Sequence, residues 1–187
     1  MIVLLSGEVA SGKTSAALSL EEQYGYRRIR SGSHLSEVAK TRRLATDRHG
    51  LQEMGDLLDQ ETQGAWIAEL AQNQISEIPS VNRWVLDSVR RDFQIFRFRE
   101  LFPTEIIHVH LMATDNMLNA HFQARAQGDD RDSSADYSQV KASETEQHAK
   151  SLGTIADISV SSGTFRPDQI AQLIDMIAKL RPKGARE

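Results

Sequence analysis

Residues 7–14, near the amino terminus, have the residue types and the spacing of a phosphate-binding loop. They read GEVASGKT and stand between an apolar run at residues 2–5 and a helix-forming run at residues 15–20. A chain that surrounds phosphate oxygens with backbone N–H groups needs glycine at its tight corners, and the following helix adds the positive end of its dipole. This is the complete Walker A pattern in its strand-to-helix context, and it predicts a bound nucleoside triphosphate. The alternative is a glycine turn that merely joins a strand to a helix.

The residue types within and beyond this loop suggest a metal-bound nucleotide. Lys13 can reach the β- and γ-phosphates as a mobile point charge, and the Thr14 hydroxyl can coordinate Mg²⁺. Asp87 follows the apolar run 84–86, where P-loop proteins carry an acid that supports the same ion, usually through water; capping of the next helix is the alternative. We therefore expect ATP and Mg²⁺ as cofactors. The residues expected to contact the nucleotide in the loop are Gly7, Ala10, Ser11, Gly12, Lys13, Thr14 and Ser15.

The basic residues are sixteen arginines and only six lysines, and the arginines are grouped. One group covers residues 27–48 and another covers residues 83–99. Because the planar guanidinium suits bidentate contacts to phosphate, these groups favour a local anion site; solvated surface charges are the alternative. The net charge of −4 argues against a general nucleic-acid binder, so no nucleic acid is expected as a partner.

Length and composition indicate one domain. The chain has 187 residues, 40% of them hydrophobic and 26% charged, and no cysteine; these values are ordinary for a soluble globular protein. No apolar run approaches the roughly 18 to 20 residues of a membrane span, so we expect no membrane contact and a cytoplasmic protein. The lack of cysteine excludes disulfides and thiolate chemistry. The expected domain covers residues 1–181, as a monomer or homodimer, and a flexible tail follows at 182–187.

Strand and helix patterns alternate along the chain. Strands are predicted at 2–6, near 28–30, and at 84–86, 106–111 and 158–160. Helices are predicted at 13–24, from about 33, at 48–78 with a break near Gly64, up to about 101, at 115–126, at 137–151 and near the carboxyl end. Crossovers of more than ten residues imply a mostly parallel sheet with helices on both faces and ligands at the carboxyl ends of the strands. His108 and His110 lie on an apolar strand and are interpreted as core or rim residues.

Several segments occur in the order found in nucleoside monophosphate kinases and dephospho-coenzyme A kinases. Beside the phosphate loop they are residues 31–35 (SGSHL), 51–59 (LQEMGDLLD), 84–91 (WVLDSVRR) and an arginine-containing loop at 125–131. From residue 1 to about 178 the chain resembles these adenylate kinase-like P-loop kinases. The resemblance implies an α/β, three-layer P-loop NTPase fold with a five-stranded parallel sheet, a helical acceptor-binding region at about 31–80 and a short lid at about 127–137.

The resemblance also implies roles for single residues. Ser162 would lie beside the adenine of ATP. Arg42 or Arg43 would hold the acceptor phosphate, because the acid and the arginine that adenylate kinases carry are missing at Ser33 and near Ser36. The expected catalytic residues are Lys13, Asp87, Arg90, Arg91, Arg125 and Arg131, the last two from the lid. The expected acceptor-binding residues are Ser31, Ser33, Arg42, Arg43, Gln52 and Arg90.

Together these features predict an ATP-dependent phosphotransferase whose acceptor is a small nucleotide, most directly a ribo- or deoxynucleoside monophosphate. A phosphate monoester is largely anionic near neutral pH and needs no strong base, whereas a hydroxyl acceptor, as in dephospho-coenzyme A kinases, would need one. Asp87 is the only carboxylate that the sequence nominates for this task, and no second acid is expected in the acceptor pocket. Transfer to a hydroxyl, and a P-loop ATPase or nucleotide-binding regulatory protein without a small-molecule acceptor, are the alternatives.

Overall fold

Five parallel strands form the centre of the protein, in the spatial order β2-β3-β1-β4-β5. The computed structural model describes residues 1–126 and 136–180. Within them the strands are β1 (Ile2–Ser6), β2 (Arg27–Arg28), β3 (Trp84–Leu86), β4 (Ile106–Met112) and β5 (Ile158–Ser161). The helices are α1 (Lys13–Tyr24), α2 (Ser31–Thr41), α3 (Arg48–Thr62), α4 (Ala65–Glu77), α5 (Asp92–Leu101), α6 (Asp115–Ala126), α7 (Tyr137–Ala142), α8 (Glu144–Ser151) and α9 (Pro167–Leu180), with a 3₁₀ turn at Leu152–Ile155.

The two faces of the sheet are covered by different helices. Strand β1 lies between β3 and β4, with Val3 opposite Val85 and Ile107, and all five of its residues are buried. Its alternate side chains point to opposite faces: Ile2 and Leu4 join the core formed with α2 to α5, while the intervening residues join the core formed with α1 and α9. Burial on both faces explains why this strand reads as a continuous apolar run. The predicted three-layer α/β architecture with a five-stranded parallel sheet is confirmed.

Two breaks between helices have local causes. Gly64 separates α3 from α4 with φ of 74°, and a Cβ there would lie 2.4 Å from the Phe93 ring, so glycine is required. The predicted single helix at 137–151 is wrong, because Ser143 is extended (φ −62°, ψ 147°) and divides it into α7 and α8. The Ser143 hydroxyl accepts the backbone N–H of Glu146, which is an N-cap contact.

The β2 edge of the sheet is short and covered. Strand β2 has two residues and pairs on one side with β3. Just beyond it, the Gln74 side-chain amide accepts the Arg30 N–H (3.0 Å) and donates to the Arg30 carbonyl (3.4 Å). A side chain from α4 thus pairs with main-chain groups that follow the edge strand.

Two predicted segments lie largely outside the described residues. They are the lid at 127–137, except for its last two residues, and the tail at 182–187; Arg131 is therefore also outside them. In the described part of the chain, none of the helices combines the length and apolar character that crossing a bilayer requires.

Candidate functional site

The phosphate loop joins β1 to α1 with the backbone geometry that its glycines predict. Gly7 has φ of 142°, and a Cβ at this position would lie 2.3 Å from the carbonyl oxygen of Leu111 on β4. Gly12, directly before α1, has φ of 89°. Both angles lie in the region where a side chain is strained, so glycine is favoured at each corner, and at Gly7 the Leu111 carbonyl also leaves no room for a Cβ. Ala10 also adopts a positive φ, 62°, without being glycine.

Lys13 is held by the loop itself. Its ammonium donates to the carbonyl oxygens of Gly7 (2.7 Å) and Glu8 (2.8 Å) and lies 3.3 Å from the Ser11 hydroxyl. Burial, followed by the charge of Arg90, lowers the pKa of Lys13 to about 8. Groups of the loop itself thus fix the position of the Lys13 ammonium.

A buried polar cluster supports the strand that enters the loop. The Ser6 hydroxyl lies 2.7 Å from Nε2 of His108 and 2.9 Å from Nδ1 of His110, and all three side chains are buried. Burial lowers the pKa of each histidine to about 4, so both rings are neutral at pH 7 and the hydroxyl can donate to one and accept from the other. The prediction that these histidines belong to the core is confirmed.

Asp87 follows β3, the strand beside β1, and faces a cation. Its carboxylate accepts from the Arg28 guanidinium at 3.0 Å, and both side chains are largely buried. The negative charge of Asp87 also acts on Lys13, while Thr14 at the start of α1 is exposed. A hydroxyl and a carboxylate are hard oxygen donors that suit Mg²⁺, which usually takes one or two protein ligands and completes its shell with phosphate and water. The described residues contain no cluster of three or more histidine, aspartate or glutamate side chains that could hold a metal ion.

A cavity of about 180 Å³ lies in the predicted acceptor region. Three predicted acceptor residues line it: Ser31, Gln52 and Arg90. The Ser31 and Ser88 hydroxyls are 2.8 Å apart in the same wall. The remaining lining comes from α2 to α5, the start of α8 and the segment after β3: Leu35, Leu51, Gly55, Asp56, Asp59, Trp66, Ile67, Ser88, Gln94 and Thr145.

The other predicted acceptor residues lie elsewhere. Ser33 is exposed on α2, and Arg42, which follows α2, makes a two-armed ion pair with Glu61 at 2.8 Å. Arg43 is exposed and has φ of 58°. None of the three belongs to the cavity lining that the described residues form. Their proposed contacts to an acceptor phosphate stay predictions.

The lining of the cavity contains acidic side chains that were not expected from the sequence. Asp56 and Asp59 both line it, so the expectation that the acceptor pocket holds no further acid is wrong. Both residues lie on α3, within the predicted helical region, but the sequence does not reveal which helix face meets the cavity. Burial raises the pKa of the Asp59 carboxyl, and its hydrogen bonds from Gln94 and Trp66 oppose that effect.

Gln94 connects this wall to the arginines after β3. Its amide nitrogen donates to both Asp59 oxygens (2.9 Å each), and Trp66 Nε1 donates to one of them at 2.7 Å. Its amide oxygen accepts the backbone N–H groups of Arg90 (2.9 Å) and Arg91 (3.2 Å). One buried glutamine therefore fixes the main chain that carries both predicted catalytic arginines.

The arginine side chains face acids from several helices. Arg91 lies 3.6 Å from Asp56 and 3.2 Å from Glu144, and Arg90 lies 3.5 Å from Glu146. Glu146 also accepts the Val9 N–H of the phosphate loop at 2.6 Å. Glu146 could not be found from the sequence, because it stands 137 residues from Val9 and no local motif marks it.

The remaining predicted residues surround the same loop. Arg125 lies in the last turn of α6 with its guanidinium 5.6 Å from the centre of the Phe122 ring, and its charge lowers the pKa of Lys13. Ser162 follows β5, and its N–H donates to the carbonyl of Met112 at 2.9 Å. Among the predicted residues, Lys13, Asp87, Arg90 and Arg125 thus interact electrostatically across one site.

A second, larger recess of about 620 Å³ lies along β2, between the end of α1 and α4. Its walls include Glu21, Arg27, Gln74 and Trp84. Among the described residues, 7–15 line neither recess, but Arg90, which lines the smaller cavity, carries a charge that acts on Lys13 in the phosphate loop. The smaller cavity, whose lining includes Arg90, is therefore the candidate acceptor site.

Solved structures of kinases share this fold. A putative kinase from Chloroflexus aurantiacus matches with a TM-score of 0.62 at 13% identity, over 97% of both chains. A deoxyadenosine kinase from M. mycoides matches with a TM-score of 0.53 at 9% identity, over 96% of this chain and 100% of that one. A gluconokinase from Sinorhizobium meliloti matches with a TM-score of 0.51 at 16% identity, over 94% of both chains. At such low identities the likeness shows the fold alone, which is a P-loop kinase-like fold.

No curated protein matches the sequence. The family model AAA_17, an AAA domain, matches residues 6–138, which contain the phosphate loop, helices α2 to α5 and the segment with Asp87 and the two arginines. The chain belongs to this AAA domain family, AAA_17.

Proposed function

We propose that the protein is a phosphotransferase that moves the γ-phosphoryl group of Mg-ATP to a small nucleotide acceptor, most directly a nucleoside monophosphate. The observation that carries the proposal is the link between the phosphate loop and the acceptor cavity. Arg90 lines the cavity and pairs with Glu146, which in turn holds the loop N–H of Val9. A donor in the loop and an acceptor in the cavity would therefore share one arginine.

The proposed chemistry is alignment and charge neutralisation. Phosphoryl transfer passes through a loose transition state with charge spread over the phosphoryl oxygens, so there is little covalent work for the protein. Lys13 would bind the β- and γ-phosphates, and Arg90, Arg91 and Arg125 would neutralise the transferring group. Arg131 would act with these arginines from the lid, and the lid segment 127–137 would exclude water. Thr14 and Asp87 would hold Mg²⁺, which when bound supplies further positive charge at the phosphates.

A hydroxyl acceptor is the second candidate, and the charge of the cavity favours it. Asp56 and Asp59 line the cavity, whereas Arg90 is the one arginine in the lining formed by the described residues. A phosphate monoester would bring close to two negative charges beside these acids. A neutral acceptor with hydroxyl or amino donors would instead find carboxylate, amide and hydroxyl partners. Two solved structures of the same fold are named a gluconokinase and a deoxyadenosine kinase, and both names denote kinases of small molecules.

An acceptor panel with a coupled ADP assay tests the proposal. The panel contains Mg-ATP with ribo- and deoxynucleoside monophosphates, the matching nucleosides, dephospho-coenzyme A and a sugar acid. ADP release that requires a monophosphate supports the first candidate, and release that requires a hydroxyl compound supports the second. Release without any acceptor indicates an ATPase, and tight binding without release indicates a regulatory protein; either result contradicts phosphotransfer to a small molecule.

The matched variants are Lys13→Ala and Lys40→Ala. Lys13→Ala should abolish transfer and leave the thermal unfolding midpoint close to that of the wild type, because the ammonium contacts the loop and not the core. Lys40 is exposed in the last turn of α2, so its removal should leave transfer unchanged. Equal transfer by wild type and Lys13→Ala would refute the donor site.

A further inference from the structure

Glu146 is a buried acid that reaches the phosphate loop from a distant part of the chain. It lies in the first turn of α8, and its side chain is 8% exposed. One carboxylate oxygen, Oε2, accepts the Val9 N–H at 2.6 Å. An acid is buried in this way only when its oxygens have strong partners, and a backbone N–H at this distance is one. Val9 and Glu146 thus fix the first half of the loop to α8.

The other oxygen of Glu146 faces Arg90. Oε1 lies 3.5 Å from a terminal nitrogen of the Arg90 guanidinium. The main chain of Arg90 is fixed separately, because its N–H donates to the buried Gln94 amide at 2.9 Å. Because Gln94 holds only the backbone of Arg90, it is the charge of Glu146 that orients the long Arg90 side chain. The neighbouring residue, Thr145, lines the acceptor cavity together with Arg90.

The arrangement excludes two simpler interpretations of this acid. A solvated helix charge would be exposed, as Glu144 is on the same helix with 78% exposure. A proton acceptor for the substrate would need an oxygen free of strong partners, whereas one oxygen of Glu146 is bound to the loop and the other faces a cation. The remaining interpretation is that Glu146 acts through the groups that it holds.

We propose that Glu146 is a positioning residue that aligns the Arg90 guanidinium with the phosphate loop for phosphoryl transfer. The assignment rests on the proposed phosphotransfer, but it holds for either acceptor class. Without the carboxylate charge, Arg90 retains its backbone anchor and loses the orientation of its side chain. Alignment of a cation with the transferring group affects the transition state more than nucleotide binding.

Glu146→Gln is the informative substitution, because it keeps the shape and an oxygen that can accept the Val9 N–H while removing the charge. We expect kcat to fall about tenfold or more, with the Kd of Mg-ATP, measured by calorimetry, changed by less than about twofold. The unfolding midpoint should remain near that of the wild type. Glu100→Gln is the matched control, because Glu100 pairs with Arg97 at 2.8 Å on the exposed face of α5, and it should leave kcat unchanged.

A double-substitution cycle tests whether Glu146 acts through Arg90. If it does, Glu146→Gln in an Arg90→Gln background should change kcat by less than about twofold, because the partner is already gone. Losses that multiply in the double variant would overturn the assignment, as would a Glu146→Gln enzyme with wild-type kcat.

Hydrogen exchange gives a readout that is independent of turnover. Glu146→Ala, which removes the acceptor, should speed exchange of the Val9 amide, and Glu146→Gln should not; equal exchange in both would contradict the contact. A wild-type protein that transfers to no acceptor would refute the proposed function and this assignment together. An active wild type with an equally active Glu146→Gln variant would refute the assignment alone.

Discussion

The protonation of Lys13 should make Mg-ATP binding depend on pH. Burial and then the charge of Arg90 lower the pKa of Lys13 to about 8. A bound polyphosphate would add negative charge beside the ammonium and keep it protonated well above that pH. Binding above pH 8 therefore requires the uptake of a proton, and the affinity should fall as the pH rises.

The size of the effect follows from this single pKa. In the free protein the protonated fraction of Lys13 falls by about tenfold between pH 7 and pH 9, while the complex stays protonated. The Kd of Mg-ATP should therefore rise about tenfold over this range, which corresponds to about 1.4 kcal/mol of binding free energy.

Titration calorimetry in two buffers of different ionisation enthalpy measures both the Kd and the protons taken up. We expect uptake of about half a proton at pH 8 and close to one at pH 9. Lys13→Arg is the control, because a guanidinium stays charged over the whole range and should remove the dependence. A wild-type Kd that is constant from pH 7 to pH 9, with no proton uptake, would refute this reasoning.

Three further predictions concern the surroundings of the loop. Asp87→Asn should lower the Mg²⁺-dependent kcat by about a hundredfold; a loss of stability with unchanged kcat would mean that Asp87 serves only Arg28. Because burial lowers the pKa of His108 and His110 from 6.5 to about 4, only the unfolded chain takes up protons in that window, so stability is lost as the pH falls. The free energy of unfolding by urea should decrease by about 2 kcal/mol per histidine from pH 7 to pH 5. The variant His110→Gln should lose about half of the total decrease that both histidines cause. An equally large decrease in His110→Gln and in the wild type would contradict this explanation. Gln94→Leu should cost about 3 kcal/mol of stability, measured by urea unfolding, because it leaves a buried carboxylate and two N–H groups without their partner; a loss below 1 kcal/mol would contradict the role of its hydrogen bonds.

Features encoded over a few neighbouring residues could be predicted from the sequence. The corners of the phosphate loop need positive φ at Gly7 and Gly12, so residue type and conformation are linked locally. The end of α1 at Gly25 (φ 69°) and the break at Gly64 follow from the same preference. Burial on both faces of the strands leaves an apolar run that needs no tertiary information to recognise.

Features that depend on distant contacts could not be predicted in the same way. Glu146 and Val9 meet because α8 packs beside the loop, and the sequence around residue 146 looks like any polar helix. Arg42 carries the same charge as Arg90, yet it pairs with an exposed glutamate, because the position in the fold and not the residue type decides which arginine lines the cavity. The acids in the cavity were missed for the same reason.

The contact between Gln74 and Arg30 bears on how the protein behaves at high concentration. An unpaired sheet edge offers main-chain donors and acceptors to which another chain can add a strand, which is a common start of aggregation. Here that edge is two residues long, and a side-chain amide already occupies the donor and acceptor that come next. Removing these hydrogen bonds, for example with Gln74→Ala, would leave the Arg30 N–H and carbonyl available to the backbone of a neighbouring molecule.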